Sequence, residues 1–204
     1  MLEGQRIILR PWCDADLDYF GQLRNDVETQ LVLLAQPKPN PASRVRQWLE
    51  ERSGAADGVF FVIAAKPDGQ AVGFVELRSI HATHGWGQLG ICLDRAARGR
   101  GFAAEAMELV ESYARRVLML RKIVLFVAAN NTAARHLYDS TGYVTVGVHR
   151  EHYHVGNEWL DAIAMEKLLG SDASRQTSAI SVAMNCRLSA GRNTSHSLQD
   201  VAAP

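Results

Sequence analysis

The sequence predicts a mixed α/β (α+β) domain. One observation is that segments with alternating apolar residues and segments with apolar residues at helical spacing follow one another, separated by glycine or proline turns. Their order is β-α-α-β-β-β-α-β-α-β-β, which is typical of helices packed on a mixed sheet. The other is composition: the 204 residues are 47% hydrophobic and 22% charged, as in ordinary globular proteins.

The amino-terminal half supplies a strand, two helices and a strand pair. RIILRPW alternates apolar and polar residues and is predicted to be a strand that ends at Pro11. DADLDYFGQLRN begins with acids that favour a helix start, and NPASRVRQWLEERS places Val45, Trp48 and Leu49 on one helical face. GVFFVIAAK and AVGFVELRSI are predicted to form a hairpin around residues 67–69, Pro-Asp-Gly.

The carboxy-terminal half continues the alternation. WGQLGICLD is predicted to be a strand, followed by a basic, glycine-containing turn and a helix that ends near Leu118. KIVLFVAA is predicted to be the next strand, and NTAARHLYDST a helix that Gly142 ends. YVTVGVHREHYH and NEWLDAIAMEKL are predicted to pair in a last hairpin across Val155 and Gly156.

The chain changes character near residue 170. Residues 171–204 are rich in Ser, Ala, Asn and Thr and contain no aromatic residue. Such a segment cannot bury enough apolar surface to offset the cost of ordering it. We therefore expect one folded domain over residues 1–170 and a disordered tail over 171–204.

Composition also excludes several classes of protein. The formal net charge is zero, so a strongly basic nucleic-acid-binding surface is not expected. No apolar run approaches the roughly 20 residues of a membrane span, so no membrane partner is expected. Cys13, Cys92 and Cys186 are few, odd in number and widely spaced. That pattern favours a reducing, cytoplasmic location over a disulfide framework or a metal site.

A basic turn at residues 98–101, Arg-Gly-Arg-Gly, leads from a strand into the long helix. The first N–H groups of a helix lack partners, glycine lets a ligand approach the backbone, and the helix dipole favours an anion. The turn therefore predicts a phosphate or pyrophosphate site. It is neither a Walker A loop nor a complete dinucleotide fingerprint. The alternative is a flexible basic turn without a ligand.

A second pattern follows the next predicted strand. Asn131, Ala134 and Tyr138 stand at positions i, i+3 and i+7, so one helical face would carry an amide and a phenol. The alternative interpretation makes Tyr138 a core residue whose hydroxyl reaches the surface.

Together the two patterns resemble the GNAT superfamily of N-acetyltransferases. The acetyl-CoA motif of that superfamily, Arg/Gln-x-x-Gly-x-Gly/Ala, is similar to residues 98–103. The following motif, Asn-x-x-Ala-x-x-Leu-Tyr-x-x-x-Gly-Phe/Tyr, matches Asn131, Ala134, Leu137, Tyr138, Gly142 and Tyr143. ILRPW and NEWLDAIAMEKL resemble the branch that contains the ribosomal-protein and spermidine acetyltransferases. The resemblance covers roughly residues 5–169.

The resemblance implies a twisted, mostly antiparallel sheet that is splayed at the cofactor strand, and acetyl-CoA as co-substrate. It implies that the backbone of one strand pairs with the pantetheine arm and that the basic loop holds the pyrophosphate. Asn131 and Ala134 would contact the cofactor arm, and Tyr138 would stand beside the thioester sulfur. The residues implied in cofactor binding are Ile91, Cys92, Leu93, Arg98, Gly99, Arg100, Gly101, Phe102, Ala103, Ala104, Asn131 and Ala134.

These roles agree with the chemistry of acetyl transfer to an amine. The departing thiolate has a conjugate thiol with a pKa of about 8.5, and a phenol of pKa about 10 stays protonated at neutral pH, so Tyr138 can donate to it. The amine needs a base, directly or through water. Glu76, His81 and His84 are candidates, and Glu76 is preferred because it interrupts an apolar strand.

The acceptor is expected to be a small-molecule primary amine. A polyamine is disfavoured because LVLLAQPKPNP contains no acid, and Ser79 and Gln88 stand where the spermidine branch has glutamates. Two alternatives stay open: an N-terminal protein acetyltransferase, and a non-catalytic acyl-CoA-binding sensor. Tyr138 argues against the sensor, which needs no thiolate acid. Assembly into a homo-oligomer also stays open.

Overall fold

Eight strands form one sheet in the computed structural model, which describes residues 1–170. The spatial order is β1-β2-β3-β4-β5-β6-β8-β7, and neighbouring strands are antiparallel except for β5 and β6. The strands are β1 (Leu2–Glu3), β2 (Ile7–Arg10), β3 (Val59–Ala65), β4 (Ala71–His81), β5 (Trp86–Leu93), β6 (Lys122–Ala128), β7 (Val144–Val155) and β8 (Glu158–Leu168).

Helices cover both faces of this sheet. They are α1 (Leu17–Asn25), α2 (Val27–Val32), α3 (Ala42–Ser53), α4 (Phe102–Arg116) and α5 (Thr132–Ser140). One face carries an aromatic core, including Phe20, Phe60 and Phe74, under α1 and α3. The other carries a larger aliphatic core, including Leu77 and Met107, under α4 and α5.

The sheet is splayed between β5 and β6. These two strands are parallel and pair only from Trp86 to Gln88 on β5. The pairing stops there, although β5 continues to Leu93 and β6 to Ala128. The expected mostly antiparallel sheet with a splay is therefore confirmed. The space that opens between β5 and β6 beyond Gln88, called the gap below, separates strands β1–β5 from β6, β8 and β7.

The structure also contains elements that the sequence did not predict. The strand β1 has 2 residues and the helix α2 has 6, which is too short for apolar periodicity to show. Asp26 starts α2 by accepting a hydrogen bond from the Thr29 N–H. The predicted helix at residue 14 begins with a 3₁₀ turn, Asp14–Asp16, and α1 proper starts at Leu17.

The predicted tail, residues 171–204, lies outside the described residues. Within residues 1–170, no helix is long and apolar enough to cross a membrane.

Candidate active site

The turn before α4 presents a row of free backbone donors. Gly99 and Gly101 have φ values of +72° and +78°, a conformation that glycine adopts without strain. Within residues 1–170, no hydrogen-bond partner meets the N–H groups from Gly99 to Ala104. They stand at the N-terminus of a 15-residue helix, where the helix dipole also favours an anion. The geometry therefore suits the pyrophosphate site that the motif implies.

Arg6 adds a positive charge that the sequence did not assign to this loop. Its Nη1 donates to the Arg100 carbonyl at 2.9 Å, and its Nε pairs with Glu105 at 2.9 Å. A Cβ on Gly101 would lie 2.6 Å from Nη1 of Arg6. No motif signals Arg6, because it lies just before β2, far from the loop in sequence, and reaches the loop only through tertiary packing.

The other two arginines near the loop are held by the protein itself. Arg98 Nε donates to the Leu93 carbonyl at 3.2 Å. The Arg100 guanidinium lies 4.7 Å from the centre of the Phe102 ring. Both side chains remain exposed, so their charge is available at the loop.

The edge of β5 that faces the gap is open. Ile91, Cys92 and Leu93 pair with β4 on one side, and β6 does not reach them on the other. An extended ligand can therefore add to this edge as a strand would. Burial raises the pKa of the Cys92 thiol to about 12. Cys92 is thus protonated at neutral pH and is not a nucleophile.

Asn131 caps α5. Its Oδ1 accepts a hydrogen bond from the Ala134 N–H at 3.1 Å, so α5 begins at Thr132. This cap occupies the Asn131 carbonyl oxygen, and within the described residues its side-chain amide donates to no other group. The contact of Asn131 and Ala134 with the cofactor arm stays a prediction.

Tyr138 brings a phenol to the gap from α5. Its side chain is 8% exposed, and its ring lies 5.9 Å from that of Tyr143. Burial raises the pKa of the phenol to about 12, and the neighbouring Cys92 adds to the rise. Within residues 1–170 its hydroxyl makes no hydrogen bond. The proton is therefore retained at neutral pH and available for donation.

Glu76 lies on β4 opposite Gly90 of β5, under α3. Its Oε1 is 3.0 Å from where a Cβ on Gly90 would stand. Arg52 Nη1 donates to both carboxylate oxygens, at 2.8 and 2.9 Å, and Arg78 Nε lies 3.3 Å from Oε1. Burial raises the pKa of Glu76, and the two arginines oppose the rise.

The two histidine candidates lie elsewhere. His81 ends β4 and stacks on His84, with ring centres 4.2 Å apart. His81 also pairs with Trp86, which begins β5 at the end where β5 and β6 are still joined. The gap opens at the other end of β5, so Glu76 is the better placed of the three.

Sequence reasoning also missed a cluster of arginines beside Glu76. The guanidinium of Arg24 lies 4.8 Å from the centre of the Trp48 ring, and that of Arg52 lies 5.9 Å from it. Arg24 is on α1 and Trp48 on α3, so only packing of the two helices brings them together. Arginine on an amphipathic helix is ordinary, and no spacing rule signals it.

Two clefts flank the cofactor loop. The larger, of about 720 Å³, runs along the outer face of α4 and includes Glu105, Glu108 and Glu111. Arg6 and Lys167 line the same cleft and offset two of these charges. The smaller, of about 490 Å³, lies between α1, α2 and the turn after β5. It reaches Arg100, next to the free N–H groups.

Residues 6–144 match the model of the acetyltransferase (GNAT) domain family. That match spans the cofactor loop, the splayed strands and Tyr138, so the chain belongs to this family. It is an acetyl-CoA-dependent N-acetyltransferase.

Relatives of known activity support the assignment. The spermidine N(1)-acetyltransferase of Escherichia coli (strain K12) is 26% identical over 165 residues, which cover 81% of this chain and 87% of that enzyme. The spermidine N(1)-acetyltransferase of Vibrio cholerae is 32% identical over 94 residues, covering 46% of this chain and 54% of that enzyme.

Solved structures share the fold. A Vibrio cholerae spermidine N-acetyltransferase, crystallised with CoA and spermine, superposes with a TM-score of 0.75 at 24% identity, covering 81% of this chain and 97% of that one. A GNAT-family acetyltransferase from Bacillus anthracis superposes with a TM-score of 0.72 at 17% identity, covering 82% of this chain and 98% of that one. A structure of the Vibrio cholerae enzyme is dodecameric. It is 23% identical, has a TM-score of 0.70, and the match covers 85% of this chain and 99% of that one.

Proposed function

We propose that the protein transfers the acetyl group of acetyl-CoA directly to the primary amine of a small molecule in the gap between β5 and β6. The observation that carries the proposal is that three features follow one another at that gap. They are the free N–H groups of residues 99–104, the edge of residues 91–93 that β6 leaves unpaired, and the phenol of Tyr138.

Each part of the cofactor has a matching surface among these features. The pyrophosphate binds to the free amides at the start of α4, where Arg6 and Arg98 add positive charge. The pantetheine arm, with its amide groups, completes the ladder that β6 leaves open. The thioester then lies near Cys92, within reach of Tyr138.

The reaction breaks the carbon–sulfur bond and forms a carbon–nitrogen bond. The amine lone pair attacks the thioester carbonyl carbon, and the departing thiolate accepts a hydrogen bond or proton from Tyr138. The proton lost by the amine goes to Glu76, directly or through water. The Cys92 thiol is protonated and therefore not a nucleophile, so the proposed reaction has no acyl-enzyme on Cys92. The products are the N-acetyl amide and free CoA thiol.

A polycation fits the acceptor side poorly. The named relatives act on spermidine, a substrate that carries several positive charges. Here Arg24, Arg52 and Arg78 stand on that side with Glu76 as their acidic neighbour. Like charges at such distances repel each other. We therefore propose a small amine of low positive charge.

The decisive experiment measures CoA thiol release across a panel of amines, with the wild-type chain and Tyr138→Phe. Removing the hydroxyl keeps the ring packing. We expect kcat to fall about 10²- to 10⁴-fold, the range of general acid catalysis. Acetyl-CoA affinity, measured by calorimetry, should change little because binding rests on backbone groups elsewhere.

Tyr113→Phe is the matched control. Tyr113 lies on α4 and packs edge-on against Phe61, 5.5 Å between ring centres. Its hydroxyl has no role in the proposed step, so kcat should stay at the wild-type value. A Tyr138→Phe protein with wild-type kcat would assign the proton to another donor.

We infer that copies of this chain associate through the outer strand β7. Val144, Val146 and Val148 are each more than half exposed there, at 55%, 55% and 52%. An apolar row on a free edge strand favours pairing with another chain. Sedimentation velocity of the wild-type chain and Val146→Lys measures this; a wild-type monomer would contradict it.

A further inference from the structure

The face of the sheet beneath α1 and α3 carries an excess of positive charge beside the gap. Arg52 and Arg78 both lie within ion-pair distance of Glu76. Arg24 shares the Trp48 ring with Arg52, which places a third guanidinium next to the pair. One carboxylate cannot neutralise three guanidinium groups.

Arg24 is the group that remains without a counter-charge. Within residues 1–170, its guanidinium makes neither an ion pair nor a hydrogen bond, and its Nε is buried. Burial lowers the pKa of Arg24, and Arg52 and Arg44 lower it further. A buried donor and an uncompensated charge both cost free energy unless a ligand satisfies them. Arg24 is therefore available to bind an anionic group.

This charge lies on the same face of the sheet as Glu76, the preferred base. The Glu76 side chain covers Gly90 on β5, and Cys92 follows two residues later, about 7 Å along the strand. Tyr138 approaches Cys92 from α5, which packs on the other face of the sheet. A small molecule spanning this distance can reach the arginines with one end and the thioester with the other.

We propose that the acceptor is an amino acid or a close derivative, with its carboxylate bound by Arg24 and its amine directed to Glu76. The inference rests on the proposed function and specifies its substrate class. A guanidinium binds a carboxylate through two parallel N–H donors, and Trp48 holds the plane of Arg24 in place. The arginines accept the acid end, and Glu76 accepts the amine end. A polyamine offers nothing to Arg24 and is repelled.

The test compares amines that differ only in this charge. Glycine, β-alanine and 4-aminobutyrate are each assayed against their primary amides, with spermidine as the polycation. We expect kcat/KM to favour at least one acid over its amide by about 10- to 100-fold, the worth of a charge-assisted hydrogen bond. Spermidine should be a poor substrate.

Arg24→Gln identifies the residue responsible. It should raise KM for the preferred acid by about tenfold or more. KM for the amide, kcat and acetyl-CoA affinity should be unchanged. Arg46→Gln is the matched control, because Arg46 lies on α3 and pairs with Asp14 at the surface. Wild-type KM in Arg24→Gln would overturn the assignment of the carboxylate to Arg24.

The outcomes separate this inference from the proposed function. If amides or spermidine react as fast as the acids, the inference is overturned while acetyl transfer to amines stands. If no amine of the panel releases thiol although acetyl-CoA binds, the proposed function is overturned together with the inference. Should Arg24→Gln not fold, the comparison of acid and amide on the wild-type chain still decides.

Discussion

Burial acts on Tyr138 and Glu76 with different chemical results. It raises the pKa of both groups. For the phenol this means a proton that is kept at neutral pH. For the carboxyl it brings the pKa closer to the pH at which a general base operates, while Arg52 and Arg78 keep the group ionised. Tyr138 thus suits donation to the leaving sulfur, and Glu76 suits removal of the proton from the amine.

The raised pKa of Tyr138 also limits what it can do. Complete proton transfer from a phenol whose pKa is raised in this way to a thiolate whose thiol has a pKa of about 8.5 is uphill. In the proposed reaction Tyr138 therefore acts on the leaving sulfur mainly as a hydrogen-bond donor, and the thiolate takes its proton from water after it leaves.

Glu76 is expected to set the acidic limb of the pH–rate profile. Its folded-state pKa is raised, so the base becomes protonated, and kcat/KM falls, as the pH drops through a value above that of an ordinary glutamate. Glu76→Gln should remove this limb and lower kcat about 10²- to 10⁴-fold. Steady-state kinetics from acid to neutral pH measure both effects.

Glu111→Gln provides the comparison for Glu76. Glu111 is also buried, but it lies on α4 and pairs with Lys167 on the other face of the sheet. Its substitution should leave the profile intact. An unchanged acidic limb in Glu76→Gln would give the role of base to water or to another residue.

At the scale of single residues, the sequence predicted those that belong to a motif. Tyr138 and the residues of the cofactor loop stand close together along the chain in a fixed spacing, so a pattern could find them. Arg6 and Arg24 could not be found in this way. Each reaches its position through the packing of distant elements, and Arg24 is separated from Glu76 by 52 positions of sequence.

At the scale of elements, the cofactor loop depends on two glycines with positive φ. The conformation turns successive N–H groups towards the same point, and α4 extends behind them. Arg6 and Glu105 fix the loop against β2. These contacts give the loop the geometry that the proposed anion site requires.

Gly101→Val should weaken acetyl-CoA binding by about tenfold or more, because a left-handed conformation costs a side chain about 1–2 kcal/mol and the new Cβ displaces Arg6. Isothermal calorimetry measures the affinity. Gly69→Val has the same strain, φ +72°, in the β3–β4 turn with open space around its Cβ. It should lose stability without losing affinity. Equal affinity in the two variants would contradict the loop's role.

Elements were predictable where their periodicity was long. The strands β3 to β6 and the helices α3 to α5 follow the predicted order. The helix α2 was missed because its 6 residues form less than two turns. The splay itself was expected only from the family resemblance, since strand composition does not show where pairing ends.

At the scale of the whole molecule, one buried ion pair joins three segments. Arg10 on β2 donates to both oxygens of Asp16, at 2.7 and 2.8 Å, and Cys13 N–H donates to the same carboxylate. Arg10 also donates to the Gly69 carbonyl at 3.3 Å. The Arg10–Asp16 pair thus ties β2, the turn before α1 and the β3–β4 hairpin together.

The pair should make stability depend on acid pH. Burial alone would raise the pKa of Asp16, but the hydrogen bonds from Arg10 and Cys13 lower it overall. A depressed folded-state pKa contributes stability above the unfolded value and loses it as pH falls through the folded value. Asp16→Asn should cost about 3 kcal/mol at neutral pH, as breaking a buried pair does.

Urea unfolding of wild type and Asp16→Asn at neutral and acid pH measures this contribution. The difference between the two proteins should shrink as the pH falls below the ordinary range of aspartate. Asp14→Asn is the control, because Asp14 is 78% exposed in its pair with Arg46. If the difference in unfolding free energy stayed constant with pH, Asp16 would stabilise the fold through packing and not through its charge.

The splay has a consequence for the lifetime of the protein in a cell. Within residues 1–170, the strand ladder joins β1–β5 to β6–β8 only between Trp86–Gln88 and Lys122–Val124. A cofactor that fills the rest of the seam binds only the folded chain. By mass action it stabilises that chain by about 2.7 kcal/mol when present at 100 times its dissociation constant. We therefore expect the supply of acetyl-CoA to affect the abundance of the enzyme as well as its rate.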